Sequence, residues 1–368
     1  MRLTHLELRR ARLPLVAPFR TSFGIETYRD VLYVRALGPD TQGWGECVAM
    51  DEPLYSSEYV DSAQVVIRRF LAPRLDLGNI RAGDLHRLMA PVRGHPMAKA
   101  ALEAAVLDAD LRASGESLSS RLGATKSRVP SGVSIGIHDS VGALLDTVGA
   151  YLAEGYLRIK LKIEPGNDVA QVRAVRERFG DVLLQVDANA AYTVADAEHL
   201  AKLDQFDLLL IEQPLAEDDV LSHAALARLI RTPICLDESI VSAQSATDAI
   251  ALGACSIINI KPGRVGGYLE ALKIHDLCVA QGVAVWCGGM LETGIGRAAN
   301  LALAALPGFT LPGDISASRR YFHRDVTEPF ELVDGHIDVP TGAGIGVDPI
   351  MDILDEFTTS VETIALGN

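Results

Sequence analysis

The stretch RIKLKI at 158–163 begins a series of short apolar runs that decides the fold of this chain. The later runs are LLQVDAN at 183–189, LLIEQPL at 209–215, PICLDES at 233–239 and IINIKPG at 257–263. Each run ends near a charged residue, and these recur about every 25 positions: Lys162, Asp187, Glu212, Asp237 and Lys261. A strand followed by a helix needs roughly 25 to 30 residues, so the spacing predicts successive βα units.

The runs are almost continuously apolar rather than alternating, which indicates a parallel sheet covered by helices. Similar runs lie near 129–135 and 283–287, and a last short strand is expected to end near Asp314. The predicted fold class is therefore α/β, a modified TIM barrel of the (β/α)7β type over residues 126–321. In such barrels the C-terminal strand ends form the catalytic mouth, and the charged residues are expected there.

Residues 1–125 have a different organisation, because strand-like segments come first and helical stretches follow, an order that predicts an α+β domain. Within it, PLVAPFRTSFG at 14–24 is apolar and aromatic without a regular period. That stretch is either an ordinary β-hairpin loop or a lid over an active site. The tail, 322–368, is expected to return to this domain. The predicted domains are a capping domain, 1–125 with 322–368, and a catalytic barrel, 126–321.

Composition limits the possible partners and the cellular compartment. A net charge of −14 argues against nucleic acid and anionic membranes as partners. No apolar run approaches the ~18 residues of a membrane span. The start, MRLTHLELRRARLPL, alternates like a strand and lacks the apolar core of a signal peptide. The five cysteines show no CxxC spacing, as in reduced core residues, so a soluble cytoplasmic protein is expected.

Asp187, Glu212 and Asp237 are the candidate metal ligands. A single strand-end carboxylate would more simply be a helix cap or a turn residue. Three in register on neighbouring strands would repel one another strongly unless a cation lay between them. Oxygen ligands without nearby cysteine or histidine favour Mg²⁺ (or Mn²⁺, Co²⁺) over zinc.

Three lysines are the candidate catalytic residues. Lys160 and Lys162 occupy alternate positions of one strand, so both side chains point to the same face. Cationic neighbours and a metal are expected to lower the pKa of one of them; Lys162 is expected to carry the proton, and Lys160 to support the substrate carboxylate electrostatically. Lys261 lies four strands further on. Two opposed lysines can remove a proton from one face of a carbon and return one to the other, which is the geometry of racemisation.

Polar residues near these lysines are expected to tune them. Arg264 either holds Lys261 partly neutral by charge repulsion or is an exposed turn residue. Glu238 is a possible hydrogen-bond partner of Lys261, which would oppose the effect of Arg264. Asn189, beside Asp187, is expected to orient a ligand.

The segment WCGGMLETGIGRAAN at 286–300 carries a double glycine, which lets backbone N–H groups approach a ligand closely. Glu292 within it is either a polar partner or a charge at a helix N-terminus. The GIGRAA run lacks the full dinucleotide fingerprint, which disfavours a nucleotide-binding fold. No histidine follows a strand end beside an aspartate, so catalysis by histidine is not expected.

Together these motifs resemble those of the enolase superfamily, in its lysine-based muconate-lactonising subgroup. The matching features are the KxK of Lys160 and Lys162, the DAN at Asp187, the EQP at Glu212, the DES at Asp237 and the later Lys261. The resemblance extends along essentially the whole chain. More narrowly, RIKLKIEPG, IEQPL, LDESI, NIKPGRVGG, WCGGMLETGIGRAAN and LPGDISAS resemble o-succinylbenzoate synthases that also racemise N-succinylamino (N-acylamino) acids.

The resemblance implies Mg²⁺ bound to the three carboxylates, an enediolate intermediate and a small carboxylate substrate. Lys162 would remove the proton α to the carboxylate, and Lys160 would help stabilise the enediolate. In the racemase reaction Lys261 would reprotonate the opposite face. In the synthase reaction, a dehydration of menaquinone biosynthesis, Lys162 would return the proton to the departing hydroxyl and Lys261 would act mainly as a cation.

The resemblance also implies a substrate pocket and homo-oligomers. The groups expected to receive the succinyl or acyl arm are Ser134 and the backbone of Gly289, Met290 and Leu291. The side chains expected to shape the rest of the pocket are Phe19, Phe23 and Met50.

Alternatives remain within and outside the subgroup. Dipeptide epimerases carry Asp-x-Asp after the last strand, whereas this chain has Asp314-Ile315-Ser316, which disfavours them. A muconate cycloisomerase-type lactonising enzyme remains an alternative, as does a silent barrel acting as a binding protein. A silent barrel is expected to have lost a metal ligand or a lysine, and this chain retains all of them. The sequence does not decide between racemase and synthase, because one site supports both.

Overall fold

The computed structural model describes residues 1–75 and 80–367. Its first and last strands form one antiparallel sheet in the order β13-β1-β2-β3. These strands are β1 (His5–Thr21), β2 (Gly24–Leu37), β3 (Gln42–Cys47) and β13 (Thr358–Ala365). The pairing of His5 with Ala365 brings the C-terminal end of the chain back to the N-terminal sheet.

The stretch 14–24 forms the far half of a long hairpin rather than an irregular loop. Strands β1 and β2 remain paired out to Thr21 and Gly24, with a shift in register between Pro14 and Phe19. Bulges of this kind interrupt the alternation of inward and outward side chains. For that reason this stretch shows no regular period in the sequence.

Helices follow the N-terminal sheet along the chain, and of these α3 and α1 pack against it. The helices are α1 (Val60–Val66), which continues as a π-turn over Ile67–Leu71, α2 (Leu85–Met89), α3 (Pro96–Ser114) and α4 (Leu118–Leu122). Helix α3 lies directly on β3 because Gly43 and Gly45 have no side chains. A Cβ atom on Gly45 would lie 2.0 Å from the carbonyl oxygen of Ala101. These glycines let helix and strand approach closely.

The second sheet is parallel, in the order β11-β10-β9-β8-β7-β6-β5. Its strands are β5 (Gly132–Ile135), β6 (Arg158–Lys162), β7 (Leu183–Asp187), β8 (Ile211–Glu212), β9 (Ile234–Leu236), β10 (Ile257–Ile260) and β11 (Ala284–Cys287). The helices that follow are α5 (Val141–Glu154), α6 (Val169–Phe179), α7 (Ala197–Leu200), α8 (Val220–Leu226), α9 (Ala243–Leu252), α10 (Pro262–Val265), α11 (Tyr268–Gln281), α12 (Gly294–Ala304) and α13 (Met351–Phe357). The predicted α/β class, a modified TIM barrel with a capping domain, is confirmed.

The ring closes through a few isolated backbone hydrogen bonds, and the short strand expected before Asp314 is not a regular strand. Asp314 N donates to the carbonyl of Cys287 over 3.0 Å, and Gly132 N donates to the carbonyl of Gly313 over 2.8 Å. Pro312 has no N–H to extend this pairing. The segment therefore joins the first and last barrel strands without a full ladder.

The predicted first barrel strand, 129–135, is divided into two. Its first part is β4 (Arg128–Pro130), which pairs with β12 (His336–Asp338) in the C-terminal tail. Part of the tail therefore packs beside the barrel, while β13 joins the N-terminal sheet. The domain bounds of 1–125 with 322–368 and 126–321 stay a prediction. Within the described residues, no helix is long and apolar enough to cross a membrane.

Two buried carboxylates join the cap to helix N-termini of the barrel. Glu46 on β3 accepts hydrogen bonds from the backbone N–H groups of Thr293 and Gly296, at 2.9 and 2.8 Å. Glu103 on α3 accepts one from Leu269 N at 3.1 Å. The first N–H groups of a helix have no partner within the helix, so these carboxylates satisfy them. The contact of Glu46 lies at the start of α12, immediately after the Gly289–Leu291 segment.

Candidate active site

The parallel register gathers the charged strand ends at one end of the barrel. Lys162 pairs with Asp187, and Asp187 pairs with Glu212 on the next strand. Glu212 pairs in turn with Cys235, so Asp237 follows two residues further along, on the same face. The three carboxylates are at most 1% exposed. They therefore form a buried group of negative charge on three consecutive strands.

Lys160 lies at the centre of this group. Its Nζ is 3.1 Å from Asp187, 2.9 Å from Glu212 and 2.5 Å from Asp314. An ammonium group has three donors, and three carboxylates surround this one. Burial lowers the pKa of Lys160, but the three carboxylates outweigh burial and raise it well above its usual range. The expectation of a lowered pKa therefore does not hold for Lys160, which is a fixed positive charge.

Lys162 and Lys261 are bound differently from Lys160. Lys162 Nζ donates to Asp187 Oδ2 and to Asn189 Oδ1, both at 2.6 Å. Lys261 Nζ donates to Asp237 Oδ2 at 2.7 Å and to Tyr55 Oη at 3.1 Å. Each ammonium thus has one carboxylate and one neutral acceptor among the described residues, and both lysines line one pocket. Strands β6 and β10 are four positions apart in the ring, so the two lysines approach that pocket from opposite sides.

The carboxylates influence one another. Burial raises the pKa of Asp187, but Lys162 and Lys160 outweigh burial and hold it well below its usual range. Burial and the negative charge of Asp187 raise the pKa of Glu212, and Asp237 adds to that shift. A cation among these residues would relieve this repulsion.

A divalent metal ion is chemically compatible with these three residues. Their donors are all carboxylate oxygens, which Mg²⁺ and Mn²⁺ prefer. The Oδ1 atom of Asp237 is buried and forms no well-aligned hydrogen bond, although the Arg264 guanidinium lies 2.6 Å away. In the part of the chain that the structure describes, however, no three His, Cys, Asp or Glu side chains converge into a ready-made metal site. Lys160 and Lys261 pair with carboxylate oxygens of Glu212 and Asp237, two of the candidate ligands.

Arg264 is not an exposed turn residue, since it is only 3% exposed and its Nη1 lies 2.6 Å from Asp237 Oδ1. Burial lowers the pKa of Lys261, and the charge of Arg264 lowers it further, as expected. Asp237, together with Tyr55 and Glu212, outweighs both and raises that pKa well above its usual range. In this arrangement of side chains the carboxylates thus favour the charged form of Lys261, and the tuning of Lys261 by Arg264 stays a prediction.

The other polar neighbours have defined partners. Glu238 accepts a hydrogen bond from Asn189 Nδ2 at 2.8 Å, instead of the expected bond from Lys261. Asn189 thereby links Glu238 to Lys162. Glu292 accepts hydrogen bonds from Met290 N and Asn300 Nδ2, at 2.8 and 2.9 Å, so it is a polar partner that shapes the Gly289–Leu291 backbone.

The residues expected to receive the substrate line one pocket together with the three lysines. The expected lining residues found there are Phe19, Phe23, Met50, Ser134, Asn189, Gly289, Met290 and Leu291. The tip of the β1–β2 hairpin supplies Phe19 and Phe23, which makes it a wall of the pocket. The stretch is therefore a hairpin that borders the pocket, and its action as a lid stays a prediction.

Sequence reasoning missed several residues that contact the charged groups of this site. Tyr55 contacts Lys261, Asn259 donates to Glu212 over 2.7 Å, and Asp314 binds Lys160. Burial and the charge of Asp237 raise the pKa of Tyr55 well above its usual range, so its hydroxyl keeps its proton. Asn259 stands two residues before Lys261 on β10, and this spacing signals a shared face. Tyr55 carries no such signal, because it follows no strand of the barrel.

Comparisons with known proteins agree with this geometry. Residues 143–353 match the family model described as enolase C-terminal domain-like. The chain is 64% identical over 362 residues to an N-succinylamino acid racemase from an Amycolatopsis species, covering 98% of each chain. It is 50% identical over 344 residues to an o-succinylbenzoate synthase from Geobacillus kaustophilus, covering 93% of this chain and 92% of that one. The crystal structure of an enolase superfamily member from Listeria innocua superposes with a TM-score of 0.96 at 43% identity, covering 99% of both chains.

A capped α/β barrel with lysines facing one another across strand-end carboxylates defines a class of enzymes that use lysine as acid and base. The chain belongs to the enolase superfamily. Its similarity extends over both the barrel and the cap, because the matched relatives and the superposed structure span nearly the whole chain.

Proposed function

We propose that this protein is a divalent-metal-dependent N-succinylamino acid (N-acylamino acid) racemase that also catalyses dehydration to o-succinylbenzoate. The observation that carries the proposal is the pair Lys162 and Lys261, which line one pocket from strands four apart. The relatives named as racemase and as synthase support the substrate class. Both reactions begin by removing a proton from the carbon next to a carboxylate.

In the racemase reaction Lys162 and Lys261 act on opposite faces of that carbon. The lysine on the face that bears the proton accepts it, and the other donates a proton to the opposite face. In the dehydration Lys162 takes the proton and returns it to the departing hydroxyl on the same face. Lys160 contributes a fixed positive charge beneath the pocket in both reactions.

The cofactor in this proposal is Mg²⁺, Mn²⁺ or Co²⁺. Members of the enolase superfamily use a divalent metal ion, and Asp187, Glu212 and Asp237 would hold it here. When bound, such an ion stabilises the negative charge that develops on the substrate carboxylate. Arg264 forms an ion pair with Asp237, with Nη1 2.6 Å from Oδ1.

The remaining pocket residues would bind the rest of the substrate. Ser134 and the Gly289–Leu291 backbone would receive the acyl arm, and Phe19, Phe23 and Met50 would surround the amino acid side chain. The Cβ position of Gly289 lies 2.8 Å from the carbonyl oxygen of Asp314, so only glycine fits there. The expected homo-oligomer stays a prediction.

Proton NMR of an N-succinylamino acid in D2O, with enzyme and Mg²⁺ and from each enantiomer separately, tests the proposal. Loss of the α-proton signal with formation of both enantiomers is the expected result. The matched control is the Lys162→Ala/Lys261→Ala double variant, which should leave the signal unchanged. If neither enantiomer exchanges with the unmodified enzyme, the racemase proposal fails, and an assay for o-succinylbenzoate formation then tests the synthase activity alone.

A further inference from the structure

Tyr55 connects the cap to one of the two opposed lysines. It lies on the segment between β3 and α1, and it is 8% exposed. Its ring packs against Phe23 at the hairpin tip, with 5.9 Å between ring centroids. Its hydroxyl lies over the mouth of the barrel and contacts Lys261.

The three groups around this contact form a closed set of hydrogen bonds. Tyr55 Oη accepts from Lys261 Nζ at 3.1 Å and donates to Asp237 Oδ2 at 3.4 Å. Asp237 Oδ2 also accepts from Lys261 Nζ at 2.7 Å. The Nζ lies 4.8 Å from the centroid of the tyrosine ring, within the range of a cation–π contact. Tyr55 therefore fixes the direction of the lysine as well as its distance.

Two of the three N–H bonds of Lys261 are accounted for by these partners, within the described residues, which leaves one position directed to the pocket. Lys162 has the same arrangement, with Asp187 and Asn189. The difference lies in the source of the neutral acceptor. Asn189 belongs to the barrel, whereas Tyr55 belongs to the cap.

We propose that Tyr55 is a positioning residue that aims the amine of Lys261 at the reacting carbon and so supports proton transfer at that lysine more than dehydration. The inference rests on the proposed function. Dehydration requires only the charge of Lys261, which does not depend on the direction of its N–H bonds. Proton transfer requires the nitrogen to lie in line with the carbon, and small misplacements reduce such rates strongly.

The test uses Tyr55→Phe in the full-length enzyme, which keeps the ring against Phe23 and removes only the hydroxyl. The Lys261→Ala variant first identifies the enantiomer whose α-proton exchange in D2O depends on Lys261. For that enantiomer, Tyr55→Phe should slow exchange by about tenfold. Exchange of the other enantiomer, and dehydration, should slow by no more than about threefold, the scale of one modest hydrogen bond.

A matched control is Tyr28→Phe, which removes a cap hydroxyl that bonds to Asp51 outside the pocket. It should leave the ratio of the two exchange rates unchanged. The ratio is measured on one protein sample, so it does not depend on the fraction of Tyr55→Phe that folds. Equal losses for both enantiomers and for dehydration would overturn the role of Tyr55 alone. A lack of exchange by the unmodified enzyme would instead overturn the proposed racemase, and this inference with it.

Discussion

The Nζ of Lys160 lies 2.5 Å from Oδ2 of Asp314, on the segment that closes the barrel. Asp314 is held in place by Arg158, whose Nη2 is 2.8 Å from its other oxygen. Burial raises the pKa of Asp314, but Lys160 and Arg158 outweigh burial and lower it to about 2. Lys160 is thus shared among three carboxylates, with Asp187 at 3.1 Å and Glu212 at 2.9 Å. Asp314 therefore limits how strongly Lys160 neutralises the two candidate metal ligands.

Replacing Asp314 with asparagine should weaken metal binding. Without the third carboxylate, Lys160 would pair more closely with Asp187 and Glu212 and compete with a cation for their oxygens. Outer partners of metal ligands typically contribute ~10–100-fold to affinity, and about a tenfold loss is expected here. Isothermal titration with Mg²⁺ measures this directly. Asp181→Asn, exposed two residues before β7 and at the opposite end of that strand from Asp187, is the control. Equal affinities in both variants would contradict the role of Asp314.

The lysines should be separable by the enantiomer that each one serves. Lys162→Ala and Lys261→Ala should each abolish racemisation, since one proton carrier is missing. Each single variant should still exchange the α-proton of one enantiomer with D2O, and the two variants should retain opposite enantiomers. Loss of a general acid or base typically slows a reaction by ~10²–10⁴-fold. Proton NMR starting from each pure enantiomer measures both racemisation and α-proton exchange. If both variants still exchange the same enantiomer, a mechanism with two opposed bases is ruled out.

Metal binding should stabilise the fold through Asp237. At a concentration of about 100 times its Kd, Mg²⁺ should raise the free energy of unfolding by ~2.7 kcal/mol, because it binds only the folded state. Urea denaturation with Mg²⁺ and with a chelator measures this difference. Asp237→Asn should lose most of the difference, whereas Asp248→Asn, exposed on α9, should keep it. A full Mg²⁺ effect in Asp237→Asn would remove Asp237 from the ligand set.

The free energy of unfolding should decrease as the pH rises from about 4.5 to about 7. Burial raises the pKa of Glu46 to about 7, from an ordinary value of 4.5, even though Thr293 and Gly296 donate to it. Burial likewise raises the pKa of Glu103 to about 7. In this window the folded state keeps these protons, while the unfolded chain releases them. Each group therefore lowers the free energy of unfolding by up to ~1.4 kcal/mol per pH unit. The lowered pKa of Asp314 acts in the opposite sense, with stability lost only below its ordinary value of 3.8.

Glu46→Gln should reduce this pH dependence, because glutamine is neutral at every pH in the window. Urea denaturation at about pH 5 and about pH 7 gives the slope. Glu177→Gln, exposed on α6, is the control and should retain the slope of the unmodified protein. A slope that is unchanged in Glu46→Gln would show that Glu46 titrates alike in the folded and unfolded chains.

The sequence by itself determined the barrel and the positions of the strand-end charges. Apolar runs of nearly constant spacing produce successive βα units, and the period of two along a strand decides that Lys160 and Lys162 point to one face. These are properties of short segments, so they can be predicted without knowledge of distant parts of the chain. The carboxylates at Asp187, Glu212 and Asp237 followed from the same spacing.

Only the tertiary structure decided which side chains meet these charges. Tyr55 reaches Lys261 across 206 positions, and Glu46 reaches Thr293 across 247. Asp314 was expected at the end of a last short strand, but its contact with Lys160 depends on how residues 312–314 close the ring, which the strand pattern does not signal. Such contacts depend on how the cap and the barrel pack together, and local sequence periodicity carries no information about that packing. The opposed lysines were thus foreseeable from the sequence, but the groups that aim them and balance their charge were not.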